Sequence, residues 1–205
     1  MIRFYLLLIV LFSSASFAKT IVVLGDSLSA GYGMPMEKGW VSLLQQTLHE
    51  QNSSYRLINK SISGDTTAGG LGRIDKALEQ YTPEIVIVEL GANDGLRGMP
   101  PILIKKNLAE LIRRIRKTGA RVLLLSMRIP PNYGNRYTEM FYQNYPDLAE
   151  ETGVALVPFI LQDIALAQEM MQQDGLHPNE KAQPVIANKV WQQLRPLLIA
   201  APAIP

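Results

Sequence analysis

The chain has 205 residues, of which 47% are hydrophobic and 19% charged, enough for one folded domain with a real core. Its net charge of +2 leaves 19 basic against 18 acidic side chains if Arg3 departs with a leader, so no field for nucleic acid exists and none is expected as a partner. The lack of cysteine excludes disulfides, thiolate metal sites and a lipid-attachment cysteine.

Arg3 precedes the unbroken apolar run Phe4 to Phe12, and Ser16 and Ala18 put small residues where a signal peptidase reads. Residues 1–18 therefore read as a cleaved signal peptide and 19–205 as a single domain, exported from the cytoplasm. The alternative, a membrane anchor, suffers from length: even Phe4 to Phe17 is shorter than the roughly 20 residues that span a bilayer. No stable membrane anchor is expected.

Short apolar runs then alternate with segments of helical period. Ile21 to Leu24 is followed by Val41, Leu44 and Leu48; Tyr55 to Ile62 by Leu71, Ile74 and Leu78; Ile85 to Leu90 by Leu108, Leu111 and Ile115. Val122 to Met127, a helix around Tyr137 to Leu148, Ala155 to Ile160 and a last helix within Glu180 to Leu198 complete the series. Strands apolar at nearly every position are buried on both faces, which means a parallel sheet covered by helices. The expected fold class is α/β, a three-layer α/β/α sandwich with a central parallel sheet of about five strands. Pro184 is expected to start or kink the last helix, and the tail Ala200 to Pro205 to be loose. The basic cluster Arg113, Arg114, Arg116 and Lys117 ends a helical pattern, where cations complement the dipole. It reads as a solvated face, with contact to an anionic membrane surface as the alternative.

Gly25-Asp26-Ser27-Leu28-Ser29 directly follows the first apolar run. In open α/β folds reactive groups collect beyond the carboxyl ends of strands, where helix N-termini offer free N–H donors. Ser27 is a candidate nucleophile there, or simply part of a helix cap, since Asp and Ser are favoured at that position. A serine hydroxyl needs a base, usually a histidine oriented by a third group. The chain has two histidines: His49 lies at the exposed end of an amphipathic helix, whereas His177 sits in the turn-rich Asp174-Gly175-Leu176-His177-Pro178-Asn179. Asp174 can reach Nδ1 of His177 if the segment curls as one turn, leaving Nε2 for Ser27. Two further turns, Ser63-Gly64-Asp65 and Gly91-Ala92-Asn93-Asp94-Gly95, follow the second and third strands. Gly64 and Asn93, with the Ser27 N–H, are candidate oxyanion donors, or turn residues suited to positive φ.

Gly-Asp-Ser-Leu near the N-terminus, the isolated glycine, Gly-x-Asn-Asp and the late Asp-x-x-His resemble the four blocks of the SGNH, or GDSL, hydrolases. Gly25 to Tyr32, Ser61 to Thr66, Glu89 to Gly98 and Pro131 to Gly134 are most similar to its multifunctional periplasmic branch, with acyl-CoA thioesterase, protease and lysophospholipase activities. The resemblance implies a flavodoxin-like sandwich, a periplasmic enzyme, Ser27 as nucleophile, His177 with Asp174 as base and orienter, and Ser27, Gly64 and Asn93 as oxyanion donors. Ala92 departs from the second glycine often found there, restricting the loop that holds Asn93 without removing the donor. The α/β-hydrolase alternative is disfavoured because Ser29 stands where G-x-S-x-G needs glycine.

Met34, Met36, Met99, Met170 and Met171 flank these blocks. Methionine adapts to irregular apolar shapes, so Met34, Met36 and Met99 are candidates for an acyl groove; equally they could fill gaps under loops. The partner expected is a small-molecule acyl ester or thioester, acted on by a monomer. With no G-x-G-x-x-G or P-loop, no cofactor is expected, and no metal. The competing expectations are a carbohydrate O-deacetylase of the same family and a non-catalytic periplasmic lipid-binding protein on the same fold.

Overall fold

A computed structural model describes residues 19–199. The expected leader and the expected loose tail both lie outside the described residues. Runs of Val, Ile and Leu form five strands: β1 (Lys19–Gly25), β2 (Tyr55–Asn59), β3 (Ile85–Glu89), β4 (Arg121–Leu125) and β5 (Ala155–Val157). All neighbouring pairs are parallel, in the order β2-β1-β3-β4-β5. Ile21 to Leu24 and Ile85 to Val88 have no exposed surface, as strands covered on both faces must. The chain is thus a three-layer α/β/α sandwich with a five-stranded parallel sheet.

Among the described residues seven α-helices complete it: α1 (Ser27–Ala30), α2 (Trp40–Glu50), α3 (Thr67–Tyr81), α4 (Ala92–Leu96), α5 (Pro101–Lys117), α6 (Asn135–Thr152) and α7 (Gln183–Ile199). The apolar stripe of α2, Trp40, Val41, Leu44 and Leu48, is buried, and this helix packs beside α7. Helices α3 and α6 flank α5 on the opposite face of the sheet. That division follows from topology: the chain moves one way from β1 to β2 and the other way from β2 through β3, and right-handed crossovers then change faces. Pro184 stands second in α7, where the missing N–H costs nothing, as expected. Arg113 and Arg114 both pair with Glu110, and Arg114 also with Asp75, so that half of the basic cluster is engaged in surface ion pairs.

The second strand is shorter than the apolar run Tyr55 to Ile62 suggested. Lys60 N–H still donates to the Val23 carbonyl (2.9 Å) and Ile62 N–H to that of Gly25 (3.1 Å). The edge position leaves Ile62 54% exposed, and the backbone turns away at Ser63.

Glycines on α3 give a test of this packing. A Cβ at Gly70 would come within 2.5 Å of Leu90 Cδ1, with Leu24 and Leu111 behind it, whereas a Cβ at exposed Gly72 meets nothing within 4 Å. Gly70→Val should lower unfolding free energy by about 1 to 3 kcal/mol through overpacking. Gly72→Ala should raise it by up to about 1 kcal/mol through helix propensity. Urea titrations of both variants read the two signs.

Candidate active site

Each parallel strand delivers its following loop to the same edge of the sheet, and β2, β1 and β3 are neighbours. Ser27, Gly64 and Asn93 follow these three strands, so the sheet brings together residues far apart in sequence. Asp26 caps α1, its Oδ1 accepting from Leu28 N–H (3.1 Å), and this turn presents the half-buried Ser27 at the strand end. Gly64 has φ +80 and open space where a Cβ would stand. Arg73 fastens that loop: its Nε donates to Asp65 Oδ2 (2.7 Å) and its Nη2 to the Gly25 carbonyl (3.2 Å). Gly91, at φ +117, turns the chain from β3 into α4, where Asn93 lies.

The fourth segment arrives from the far edge. After β5, the chain folds back through a narrow hairpin in which Gln172 N–H donates to the His177 carbonyl (2.8 Å) and Asn179 N–H to that of Met170 (2.8 Å). Gln172 Nε2 reaches across to the Tyr32 carbonyl (2.8 Å), tying the hairpin to the loop after α1. The Tyr32 ring lies against the His177 imidazole at 4.5 Å between centroids. The Asp174 carboxylate accepts from the N–H groups of Leu176 (2.9 Å) and His177 (3.0 Å) through Oδ1 and meets His177 Nδ1 at 2.6 Å through Oδ2. His177 Nε2 stands 2.9 Å from Ser27 Oγ. His49 is exposed at the end of α2, away from these groups.

This geometry sets the electrostatics. Burial works against the charge on Asp174, but the His177 N–H, the imidazole and the Leu176 N–H together outweigh it and hold the carboxyl at about 2. An ionised Asp174 accepts Nδ1–H and leaves Nε2 with its lone pair toward Ser27, the arrangement a base needs. Among the described residues, the backbone N–H groups of Ser27 and Gly64 donate to no group of the chain. One N–H of Asn93 Nδ2 is given to Asp26 Oδ2 (3.1 Å), and the other is unused. Three free donors thus belong to the loops that follow the neighbouring strands β1, β2 and β3. No cluster of three or more His, Cys, Asp or Glu suited to a metal ion occurs among the described residues.

Met34 and Met99 are half-buried, Met36 is 66% exposed, and an apolar cavity lies beside Leu176. That cavity, of about 470 Å³, is walled by Ile129, Pro130, Pro131, Phe159, Leu161 and Leu176, with Met171 at its side. Leu176, one of its walls, precedes His177 in the chain. Sequence reasoning missed this wall because its residues come from three separate loops, although the Pro130-Pro131 pair was a signal of a rigid turn. It also missed Glu89, the one acid in the apolar run Ile85 to Leu90, which is fully buried beneath Ser29 and Asp26.

The chain is similar to several known proteins. Residues 23–183 match the model of the GDSL-like lipase/acylhydrolase family. The chain is 53% identical to an arylesterase of Vibrio mimicus over 92% of this chain and 96% of that protein. It is 43% identical to thioesterase 1/protease 1/lysophospholipase L1 of Escherichia coli (strain K12), over 95% of this chain and 92% of that protein. The crystal structure of the psychrotrophic esterase EstA from Pseudoalteromonas sp., inhibited by monoethylphosphonate, superposes with a TM-score of 0.84 at 45% identity, covering 89% of this chain and all of that one, 100%.

The hydrogen-bonded Asp174 carboxylate yields a prediction with a definite sign. A carboxyl depressed from 3.8 to about 2 stabilises the fold above the unfolded value and loses that contribution as pH falls through the folded one. Wild type should melt above Asp174→Asn at pH 5 to 7, and the gap should close between about pH 4 and 2. Melting curves across that range check it.

Proposed function

The chain belongs to the GDSL-like lipase/acylhydrolase family and is an ester-hydrolysing enzyme, and from that premise we propose that it cleaves acyl esters and thioesters through an acyl-enzyme on Ser27. The observation that carries the reading is the unbroken relay from Asp174 through His177 to Ser27, with contacts of 2.6 and 2.9 Å.

As the Ser27 oxygen attacks the carbonyl carbon, its proton passes to His177 Nε2, and the imidazolium is held by Asp174. The negative charge that develops on the carbonyl oxygen is met by the N–H groups of Ser27 and Gly64 and the free Asn93 N–H, each worth about 2.7 to 4 kcal/mol in the transition state. The tetrahedral intermediate collapses, Nε2 returns its proton to the leaving alcohol, and the acyl group stays on Ser27. Water then attacks with His177 again as base, releasing the acid. A thiol, with an unperturbed pKa of roughly 8.5, leaves with little protonation, so thioesters suit the same site.

The cavity beside Leu176 is the proposed acyl subsite. Its apolar walls and volume of about 470 Å³ suit a chain of many methylenes and far exceed an acetyl group, which favours lipid-like esters over acetylated carbohydrate. We further propose that residues 1–18 are a leader removed after Ala18 and that the single remaining domain works as a monomer in the periplasm. Support comes from the apolar run Phe4 to Phe12, the small residues Ser16 and Ala18, and the lack, among the described residues, of any helix long and apolar enough to cross a membrane. There lysophospholipids, rather than cytosolic acyl-CoA, are the substrates at hand.

Two variants test this reading. Ser27→Ala should lower kcat on a chromogenic ester by about 10⁴-fold or more while leaving the fold intact; near-normal turnover would remove Ser27 as nucleophile. Ala165→Trp, at the cavity wall, should cut kcat/KM for palmitoyl esters about tenfold more than for butyryl esters, because each buried methylene contributes about 0.8 kcal/mol. Equal losses on both would move the acyl chain out of this cavity.

A further inference from the structure

Two buried acids beneath Asn93 take no part in acyl transfer itself. Asp26 is 1% exposed and Glu89 0%. They are close enough for the charge of Asp26 to act on Glu89. Glu89 Oε2 accepts from the Ser29 hydroxyl (2.6 Å) and from Asp26 N–H (3.2 Å), while Oε1 is buried and meets no donor. Burial, and then the charge of Asp26, push Glu89 well above the usual carboxylate range, so Glu89 keeps the proton. Burial also raises Asp26, but the Leu28 N–H, Glu89, His177 and Asn93 oppose it and leave it at about 6, ionised near neutral pH.

We propose that Asp26 is a positioning residue for the oxyanion site: its carboxylate aims the Asn93 side chain, and Glu89 holds the Asp26 backbone N–H beneath it. The proposal rests on the assignment of Asn93 as an oxyanion donor. An amide presents an oxygen and an NH₂ of nearly the same shape, and a flip would turn the carbonyl oxygen toward the developing anion. A carboxylate only accepts, so the 3.1 Å contact from Asn93 Nδ2 to Asp26 Oδ2 selects one orientation and leaves the second N–H aimed outward. The other carboxylate oxygen caps α1 at Leu28, and this structural duty can be separated from the first. Serine caps helices about as well as aspartate, but it is too short to reach Asn93 as well.

The test is a cycle of four enzymes: wild type, Asp26→Ser, Asn93→Ala and the double variant, with kcat and KM on a chromogenic acyl ester and a melting curve for each. Asn93→Ala should lower kcat about 10²- to 10³-fold. Asp26→Ser should lower it about 10- to 100-fold with KM within about twofold, and the double variant should match Asn93→Ala within about twofold, because the loss travels through Asn93. Multiplying losses in the double variant would overturn the proposal. An Asn93→Ala enzyme as fast as wild type would instead remove the oxyanion assignment, and the proposal with it.

Wild type and Asn93→Ala supply a second readout should Asp26→Ser fold poorly. The titratable groups that bear on Asp26 are Glu89 from β3 and His177 from the hairpin, and Asp26 in turn bears on Tyr145 from α6. Protonating Asp26 as pH falls below about 6 removes the acceptor of Asn93. The acid limb of kcat/KM should therefore steepen to a slope of about two in wild type and stay near one in Asn93→Ala. Equal slopes would overturn the proposal.

Discussion

Because β1 lies between β2 and β3 in a sheet whose strands all point one way, the chain leaves the sheet at three adjacent points of a single edge. Ser27, Gly64 and Asn93 lie in the loops that leave at those points, so the register of buried strands sets where each loop begins. Registers such as Gly25 opposite Glu89 are held by side chains with no exposed surface, so a slip would expose an entire face. The rigidity of the core is therefore also the rigidity of the site.

The base is supplied differently. Asp174 and His177 sit on a hairpin that has crossed from the opposite edge, and polar contacts dock it. Gln172 holds the Tyr32 carbonyl, Gln183 Oε1 accepts from Trp40 N–H (3.0 Å), and Lys38 pairs with Glu180. The Lys38 to Glu180 pair is exposed on both sides, so its contribution is small. The buried Gln183 contact and the packing of α7 on α2 carry the docking. The two halves of the proposed site thus stand on different physics, apolar register for Ser27, Gly64 and Asn93, and polar docking for His177 and Asp174.

This difference explains what was legible in the sequence. Apolar runs with Gly-Asp-Ser, Ser-Gly-Asp and Gly-Ala-Asn-Asp at their ends announce strands and the turns beyond them, so fold class, strand number and the positions of Ser27, Gly64 and Asn93 could be read directly. With His49 on an amphipathic helix, His177 followed by elimination. Strand ends were less clear: Ile62 is apolar but stands at a sheet edge, where hydrophobicity no longer marks pairing. The cavity proposed for the acyl chain was illegible because Ile129, Phe159 and Leu176 converge only through tertiary structure. Methionine suits a groove and a gap under a loop equally, and Met99 rests against the core. Glu89 was visible as an acid among Ile and Val, but its partner Asp26 already had an adequate explanation as a helix cap, and one residue doing two things leaves one trace.

The central claim is that one small region beside Ser27 Oγ receives both the proton transfer and the developing negative charge. The most direct measurement is a crystal structure of the enzyme after reaction with an alkyl phosphonate, a tetrahedral mimic of the acyl intermediate. The account requires phosphorus bonded to Ser27 Oγ, with a non-bridging oxygen about 2.7 to 3.1 Å from the Ser27 and Gly64 nitrogens and Asn93 Nδ2. Phosphorus on another residue, or that oxygen turned to solvent with the three donors empty, would contradict it.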